Sequence, residues 1–63
     1  MELQVKLLDM NEEISYKNVE KVLYGSGIDL GITECYEDEG MLIRLVLSDG
    51  TATFYANEVE YIH

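Results

Sequence analysis

The residue types that could carry out covalent chemistry are few in this chain of 63 residues. It contains one cysteine, Cys35, and one histidine, His63, which are its only candidate pair of nucleophile and general base. Catalysis would need the two within hydrogen-bond reach, with an orienting group and an oxyanion site. No recognised motif surrounds either residue, and two ligands cannot complete a four-coordinate zinc site. We therefore expect no enzymatic activity, no cofactor and no metal centre.

A second chemical feature is the acidic run between residues 34 and 39. Glu34, Glu37, Asp38 and Glu39 offer carboxylate oxygens, which are the ligands that calcium prefers. Their spacing differs from that of the EF-hand loop, where acids alternate along the chain and a glutamate closes the loop. We interpret the run as a solvated turn that could face a protein partner.

The charge of the whole chain is strongly acidic. Thirteen Asp and Glu residues face four Lys and Arg residues, which gives a net charge of −9. Such a chain repels phosphate backbones and lacks the basic stripe of nucleic-acid-binding proteins. We expect no direct binding to nucleic acid or to anionic membranes. The expected partner is a protein with a basic surface, or a second copy of the chain in self-association.

The chain length and its single cysteine set further expectations. No stretch approaches the ~20 apolar residues of a membrane-spanning helix, and the N-terminus does not resemble a signal peptide. A single cysteine agrees with a reducing compartment, so we expect a cytoplasmic protein. Residues 1–63 should form one small domain, which buries only about 60% of its unfolded surface.

Tyrosines are numerous for so short a chain and suit interfaces, because each couples a rigid ring to a polar tip. Most should cover the core of a small β fold. Two of the five lie beside predicted loops and are interface candidates, together with acids near the ends of the predicted sheet. The predicted interaction residues are Tyr24, Tyr36, Glu34, Glu37, Asp38, Glu39, Glu58 and Glu60.

A β-hairpin is the clearest structural element of the sequence. Asp49-Gly50 separates the apolar runs 41–47 and 51–56, and this dipeptide favours a two-residue type I′ turn. That turn would place Leu45 opposite Phe54 and would put the large apolar residues of both strands on one face.

Other segments alternate between apolar and polar residues, as half-buried strands do. These are residues 3–8, residues 28–36 and a short closing segment after Asn57-Glu58. Because 41–47 is apolar on both faces, we predict that it is central, with 28–36 on one side and 51–56 on the other. The closing strand should pair with 3–8 and complete a small barrel of about five strands.

Residues 9–27 are predicted as a long loop or a short helix. As a helix, segment 14–24 would place Tyr16, Val19 and Leu23 on one face. As a strand, it would mix lysines with apolar residues on the same face, so we favour the helix or loop. The alternative fold is an α+β domain with one helix on a four-stranded antiparallel sheet.

The closing residues Ala56-Asn57-Glu58-Val59-Glu60-Tyr61-Ile62 resemble the tail of an SH3 domain, which reads Asn-Tyr-Val-x-x-Ile. The order of hairpin, short turn and closing strand is also similar to that of SH3-like barrels. The resemblance implies a mainly β fold and a role in binding proteins.

The sequence departs from peptide-binding SH3 domains at the positions that hold their ligands. The aromatic-rich motif after the first strand is replaced by Leu7-Leu8-Asp9-Met10, and the chain has no tryptophan. The closing motif also lacks its proline and its tyrosine. These departures do not support recognition of proline-rich ligands.

Two hypotheses for the function follow. The first is a non-enzymatic acidic protein-interaction module, whose size and charge would also fit an accessory protein of a phage or mobile element. The alternative is a nucleic-acid mimic, which would inhibit a DNA- or RNA-binding protein by presenting carboxylates in place of phosphates. The mimic requires its acids to lie together on one face.

Overall fold

A computed structural model describes residues 1–32 and 40–63 of the chain. The mainly β fold predicted from the sequence is confirmed. The six strands are β1 (Leu3–Leu7), β2 (Glu13–Tyr16), β3 (Val19–Gly25), β4 (Leu42–Leu47), β5 (Gly50–Tyr55) and β6 (Val59–Ile62), with a 3₁₀ turn (Ala56–Glu58) between β5 and β6.

The first sheet has the strand order β2-β1-β6, and both pairings are antiparallel. Val5 at the centre of β1 is fully buried and lies opposite Ile14 on one side and Ile62 on the other. The predicted pairing of the closing strand with the N-terminal strand is therefore confirmed.

The second sheet has the order β3-β4-β5. Leu42 and Leu45 of β4 are three positions apart and so point to opposite faces, and both are buried. The side chain of Leu42 lies close to Gly27. The prediction that this strand is central and covered on both faces is confirmed.

The register of the β4–β5 hairpin differs from the prediction by two residues. Leu45 lies opposite Ala52 and Ile43 lies opposite Phe54, so the loop consists of Ser48 and Asp49. Neither loop residue has a positive φ, whereas Gly50 has a φ of 158°. The predicted type I′ turn at Asp49-Gly50 is therefore wrong, although a shift of two residues keeps every side chain on its predicted face.

The prediction of a helix or irregular loop for 14–24 is also wrong. Two strands, β2 and β3, occupy this segment and meet at Asn18, which has a φ of 59°. A register shift between Val19 and Lys21 then interrupts the regular alternation. These two breaks explain why the segment lacks a simple strand pattern. No α-helix occurs among residues 1–32 and 40–63, so the α+β alternative is wrong for this part of the chain.

The strand predicted for 28–36 does not form in the part that the structure describes. Residues 27–31 make consecutive turns, with backbone hydrogen bonds from Leu30 to Ser26 at 3.0 Å and from Ile32 to Gly27 at 2.9 Å. The Ser26 hydroxyl also accepts a bond from the Asp29 amide at 3.1 Å. Residues 33–36 of that prediction lie outside the described residues, and β3 occupies the place next to β4 that we assigned to 28–36.

A few contacts join the two sheets, which are not closed into a barrel. Met1 and Val19 exchange two hydrogen bonds through the terminal amine and the backbone, at 2.9 and 2.8 Å. Tyr16 of the first sheet meets Phe54 of the second edge to face, with ring centroids 6.0 Å apart. Residues 1–32 and 40–63 contain six strands, one more than the predicted count of about five.

The burial of Leu45 leads to a stability prediction. Leu45→Ala should lower the free energy of unfolding by about 2–5 kcal/mol, because it leaves a cavity in the centre of the sheet. The matched control is Leu8→Ala, since Leu8 is 62% exposed and should cost no more than about 0.5 kcal/mol. Urea unfolding followed by circular dichroism measures both. Equal losses for the two variants would contradict the structure.

The positive φ of Asn18 leads to a second prediction. Asn18→Ala should destabilise the chain by about 1 kcal/mol, because alanine adopts the left-handed region at greater cost than asparagine does. Asn18→Gly should be nearly neutral, since glycine has no side chain to clash there. The two variants compared by urea unfolding test the break between β2 and β3, and an alanine variant as stable as the glycine variant would count against it.

Candidate functional site

A shallow groove lies where β3 ends, β4 begins and β5 runs into the 3₁₀ turn. Its volume is about 210 Å³. We call it the Tyr24 groove, and its lining residues are Tyr24, Gly40, Met41, Tyr55, Ala56 and Asn57.

Strand pairing brings these residues together. Leu42 lies opposite both Gly25 and Tyr55, so the residues next to them in sequence converge at this end of the sheet. The amide of Ala56 donates to the carbonyl oxygen of Met41 at 2.9 Å, which holds the 3₁₀ turn beside the start of β4. The groove is therefore built on hydrogen-bonded strand ends, and its shape depends on the register of β4.

Exposed apolar side chains line part of this groove. The Tyr24 side chain is 64% exposed and that of Met41 is 41% exposed. Tyrosine and methionine are both enriched where proteins meet, because a rigid ring and a polarisable thioether adapt to varied partners. The arrangement suits the binding of a side chain or a short segment of another protein.

The structure separates the predicted interaction residues. Tyr24 lines the groove, and Glu58 is exposed at the end of the 3₁₀ turn whose first two residues also line it. Glu60 lies elsewhere, because its carboxylate forms a 2.9 Å ion pair with Lys6 on β1. The remaining five predicted residues lie outside the described residues: Glu34, Tyr36, Glu37, Asp38 and Glu39.

Five of the six groove residues were not predicted from the sequence, and Met41, Tyr55 and Asn57 show why. Met41 and Tyr55 belong to apolar strand segments, and we assigned such residues to the core. Asn57 belongs to the closing motif that resembles SH3 domains. That motif was the sequence feature that could have indicated a binding surface at the 3₁₀ turn.

A second cluster of polar side chains spans the first sheet. The Glu13 carboxylate on β2 accepts a hydrogen bond from the Tyr61 hydroxyl on β6 at 2.7 Å. The same oxygen, Oε2, lies 2.7 Å from Nε2 of His63. Lys6 of the intervening β1 lies opposite both Glu13 and Tyr61. Glu13, Tyr61 and His63, which we call the Glu13 cluster, therefore connect the two edge strands across β1.

These contacts shift the ionisation of two groups. The hydrogen bonds from His63 and then Tyr61 lower the pKa of Glu13, because they favour its charged form. The hydrogen bond to Glu13 raises the pKa of Tyr61. A phenol with a raised pKa is a weaker acid, so the cluster is suited to holding strands together rather than to transferring protons near neutral pH.

The structure does not test the proximity of Cys35 and His63, the pair considered in the sequence analysis. Cys35 lies outside the described residues, and His63 is engaged with Glu13 and lies beside the Tyr61 ring. Within residues 1–32 and 40–63, no three His, Cys, Asp or Glu residues are grouped so that they could hold a metal ion. In the same part of the chain, no helix is long and apolar enough to cross a membrane.

Comparisons with known proteins add no relative. No protein-family model matches the chain, and no curated protein or solved structure is significantly similar to it.

The Glu13 cluster leads to a prediction about acid stability. The folded-state pKa of Glu13 is below its ordinary value of 4.5, so its ionised form favours folding above that pH. This contribution is lost as the pH falls through the folded-state pKa. Glu13→Gln should therefore show a smaller loss of stability than the parent chain when the pH falls from neutrality to below about 4.5.

Urea unfolding at a series of pH values measures this difference. Glu12→Gln is the matched control, because it removes the adjacent carboxylate and leaves the contacts with Tyr61 and His63 intact. The control should follow the acid profile of the parent chain. If Glu13→Gln and the parent chain lost stability in parallel, the cluster would have no role in acid stability.

Proposed function

We propose that the chain is a non-enzymatic, acidic protein-interaction module that binds a basic segment of a partner protein in the Tyr24 groove. The observation that carries the proposal is an exposed groove with two tyrosines, in a chain with a net charge of −9. Its single cysteine is compatible with a cytoplasmic site of action.

The groove and the charge favour the same kind of ligand. The face of a tyrosine ring attracts a lysine or arginine cation, and Tyr24 and Tyr55 both line the groove. Glu58 follows the groove residue Asn57 in sequence, and its exposed carboxylate adds negative charge beside the groove. The net charge attracts a basic partner over a longer range and raises its rate of encounter.

The order of the last elements is consistent with the SH3-like resemblance, although the two sheets are not closed into a barrel. β5 runs into a 3₁₀ turn and then into β6, which pairs with β1. That arrangement agrees with the resemblance of the closing motif. The binding chemistry we propose is different from that of peptide-binding SH3 domains, because the aromatic residues that stack on proline are missing from the sequence.

The nucleic-acid mimic is less well supported by the acids that the structure describes. They include Glu13 in its cluster on the first sheet, Glu20 on β3, Asp49 at the β4–β5 loop and Glu60 in an ion pair with Lys6. These carboxylates lie on different elements, and some are engaged with other side chains. A phosphate mimic needs them on one face.

A binding measurement with defined probes tests the proposed function. Fluorescence anisotropy would compare a labelled arginine- and lysine-rich peptide with a labelled neutral peptide of equal length. The basic peptide should bind, and its affinity should fall as salt rises, because the attraction is screened. Met41→Ala and Tyr24→Ala should each weaken binding by about tenfold, as hot-spot truncations of about 1.4 kcal/mol do.

The matched control removes an aromatic side chain from the other sheet. Tyr61→Ala takes away a ring that is partly exposed but lies in the Glu13 cluster, so affinity for the basic peptide should be unchanged. Circular dichroism establishes that each variant is folded. Equal binding of the basic and neutral peptides, or equal loss in all three variants, would refute the groove as the binding site.

A further inference from the structure

We propose that the binding surface for the basic partner continues from the Tyr24 groove across the 3₁₀ turn onto the turn between β1 and β2. There the exposed side chains of Leu8 and Met10 receive an apolar residue of the same basic segment. We call the exposed residues Leu8, Asp9, Met10 and Glu12 the Leu8 surface. This inference rests on the proposed function and adds a requirement for its ligand, which is an apolar side chain close to the cations.

Backbone contacts place the Leu8 surface beside the groove. The amide of Leu8 donates to the carbonyl oxygen of Glu58 at 2.9 Å. Glu58 ends the 3₁₀ turn, and Ala56 and Asn57 of the same turn line the groove. One hydrogen bond and one peptide link separate Leu8 from Asn57, so their Cα atoms lie within about 10 Å of each other. An extended segment spans that distance in about three residues, so one ligand can reach both places.

The Leu8 surface presents two apolar side chains to solvent on a fixed turn. Leu8 is 62% exposed and Met10 is 39% exposed. The amide of Met10 donates to the carbonyl oxygen of Leu7 at 3.2 Å, which closes the turn locally. Together with the bond from Leu8 to Glu58, this contact holds the backbone on both sides of Leu8. A partner can therefore bury these side chains without first ordering a free loop.

Negative charge around these side chains favours a basic occupant. Residues 7–13 contain three acids and no lysine or arginine. Asp9 and Glu12 lie on either side of Met10 in sequence, and both are exposed. Glu58 is exposed as well and lies between this turn and the groove. A lysine or arginine beside the apolar residue of the ligand would meet these carboxylates.

The nearest cation in sequence is engaged elsewhere. The ammonium group of Lys6 forms a 2.9 Å ion pair with Glu60 and donates to the carbonyl oxygen of Leu7 at 2.9 Å. The charge of the Leu8 surface is therefore complementary to a basic segment. A second copy of the chain is a poor occupant, because it carries the same net charge of −9.

Two labelled peptides test the inference by fluorescence anisotropy. Both have the same length and the same number of lysines and arginines. The first has a central leucine with cations about three positions away on either side, and the second has serine in place of the leucine. The parent chain should bind the leucine peptide about fivefold more tightly, because only this peptide buries an apolar side chain against Leu8 and Met10.

Leu8→Ala should remove this preference, so that both peptides bind the variant with equal affinity. The exposure of Leu8 means that the substitution leaves the fold intact, which circular dichroism establishes. Tyr24→Ala should weaken both peptides by the same factor and keep the preference for leucine. The two variants therefore report separately on the Leu8 surface and on the groove.

Glu12→Gln and Glu20→Gln form a matched pair, because each removes one exposed carboxylate and both leave the same net charge. Glu20 lies on β3, in the other sheet. Glu12→Gln should weaken both peptides by about two- to threefold at low salt, and Glu20→Gln should have a smaller effect. The difference between the variants should shrink as salt rises, because salt screens the attraction.

A parent chain without a preference for leucine, or a preference that persists in Leu8→Ala, would overturn the inference. Equal effects of Glu12→Gln and Glu20→Gln would also overturn it, because net charge alone would then explain the attraction. A leucine preference that depends on Leu8, with no effect of Tyr24→Ala, would refute the groove but not the Leu8 surface. A parent chain that binds neither peptide would refute both proposals.

Discussion

Burial of β4 on both faces and pairing on both edges is the constraint on which the second sheet depends. Leu42 and Leu45 occupy opposite faces and are both buried, so the fold must cover both faces of the strand. Hydrogen bonds to β3 and β5 satisfy its backbone along the same length. The ends of these neighbours carry Tyr24 and Tyr55 to the groove, so the geometry of the groove follows from the core.

The face on which each side chain lies could be predicted from the sequence better than the residue opposite it on the next strand. Side-chain direction follows a period of two, and the shift in the β4–β5 hairpin is two residues, so Leu45 and Phe54 still share a face. The pairing itself depends on turn conformation. An Asp-Gly pair favours one turn, but Ser48 and Asp49 form the observed loop and Gly50 begins the next strand.

Departures from regular backbone account for the remaining errors in the fold. A single residue with positive φ, Asn18, and the register shift before Lys21 change which side chains share a face between β2 and β3. A pattern analysis that assumes one regular element across 14–24 reads the mixture as a helix or loop. Residues 28–32 alternate like a strand, but local hydrogen bonds back to Ser26 and Gly27 favour turns instead.

The residues of the candidate site were likewise predicted only where a local sequence pattern marks them. Tyr24 was predicted because an aromatic residue beside a glycine-containing turn is easy to recognise. Met41 was missed because an apolar residue at the start of a central strand looks like core. The Glu13 cluster was missed because Glu13 and His63 are 50 positions apart and leave no periodic signal in the sequence.

Chain length accounts for the apolar side chains that remain exposed on the second sheet, and net charge opposes the association that they favour. A chain of 63 residues has little interior, and Val22, Tyr24 and Met41 remain exposed beside its core. Such exposed residues favour non-specific association unless something keeps the chains apart. A net charge of −9 supplies that repulsion at separations up to about 8–10 Å, beyond which salt screens it. Contact with a surface of opposite charge would avoid this repulsion, which is consistent with the basic partner that we propose.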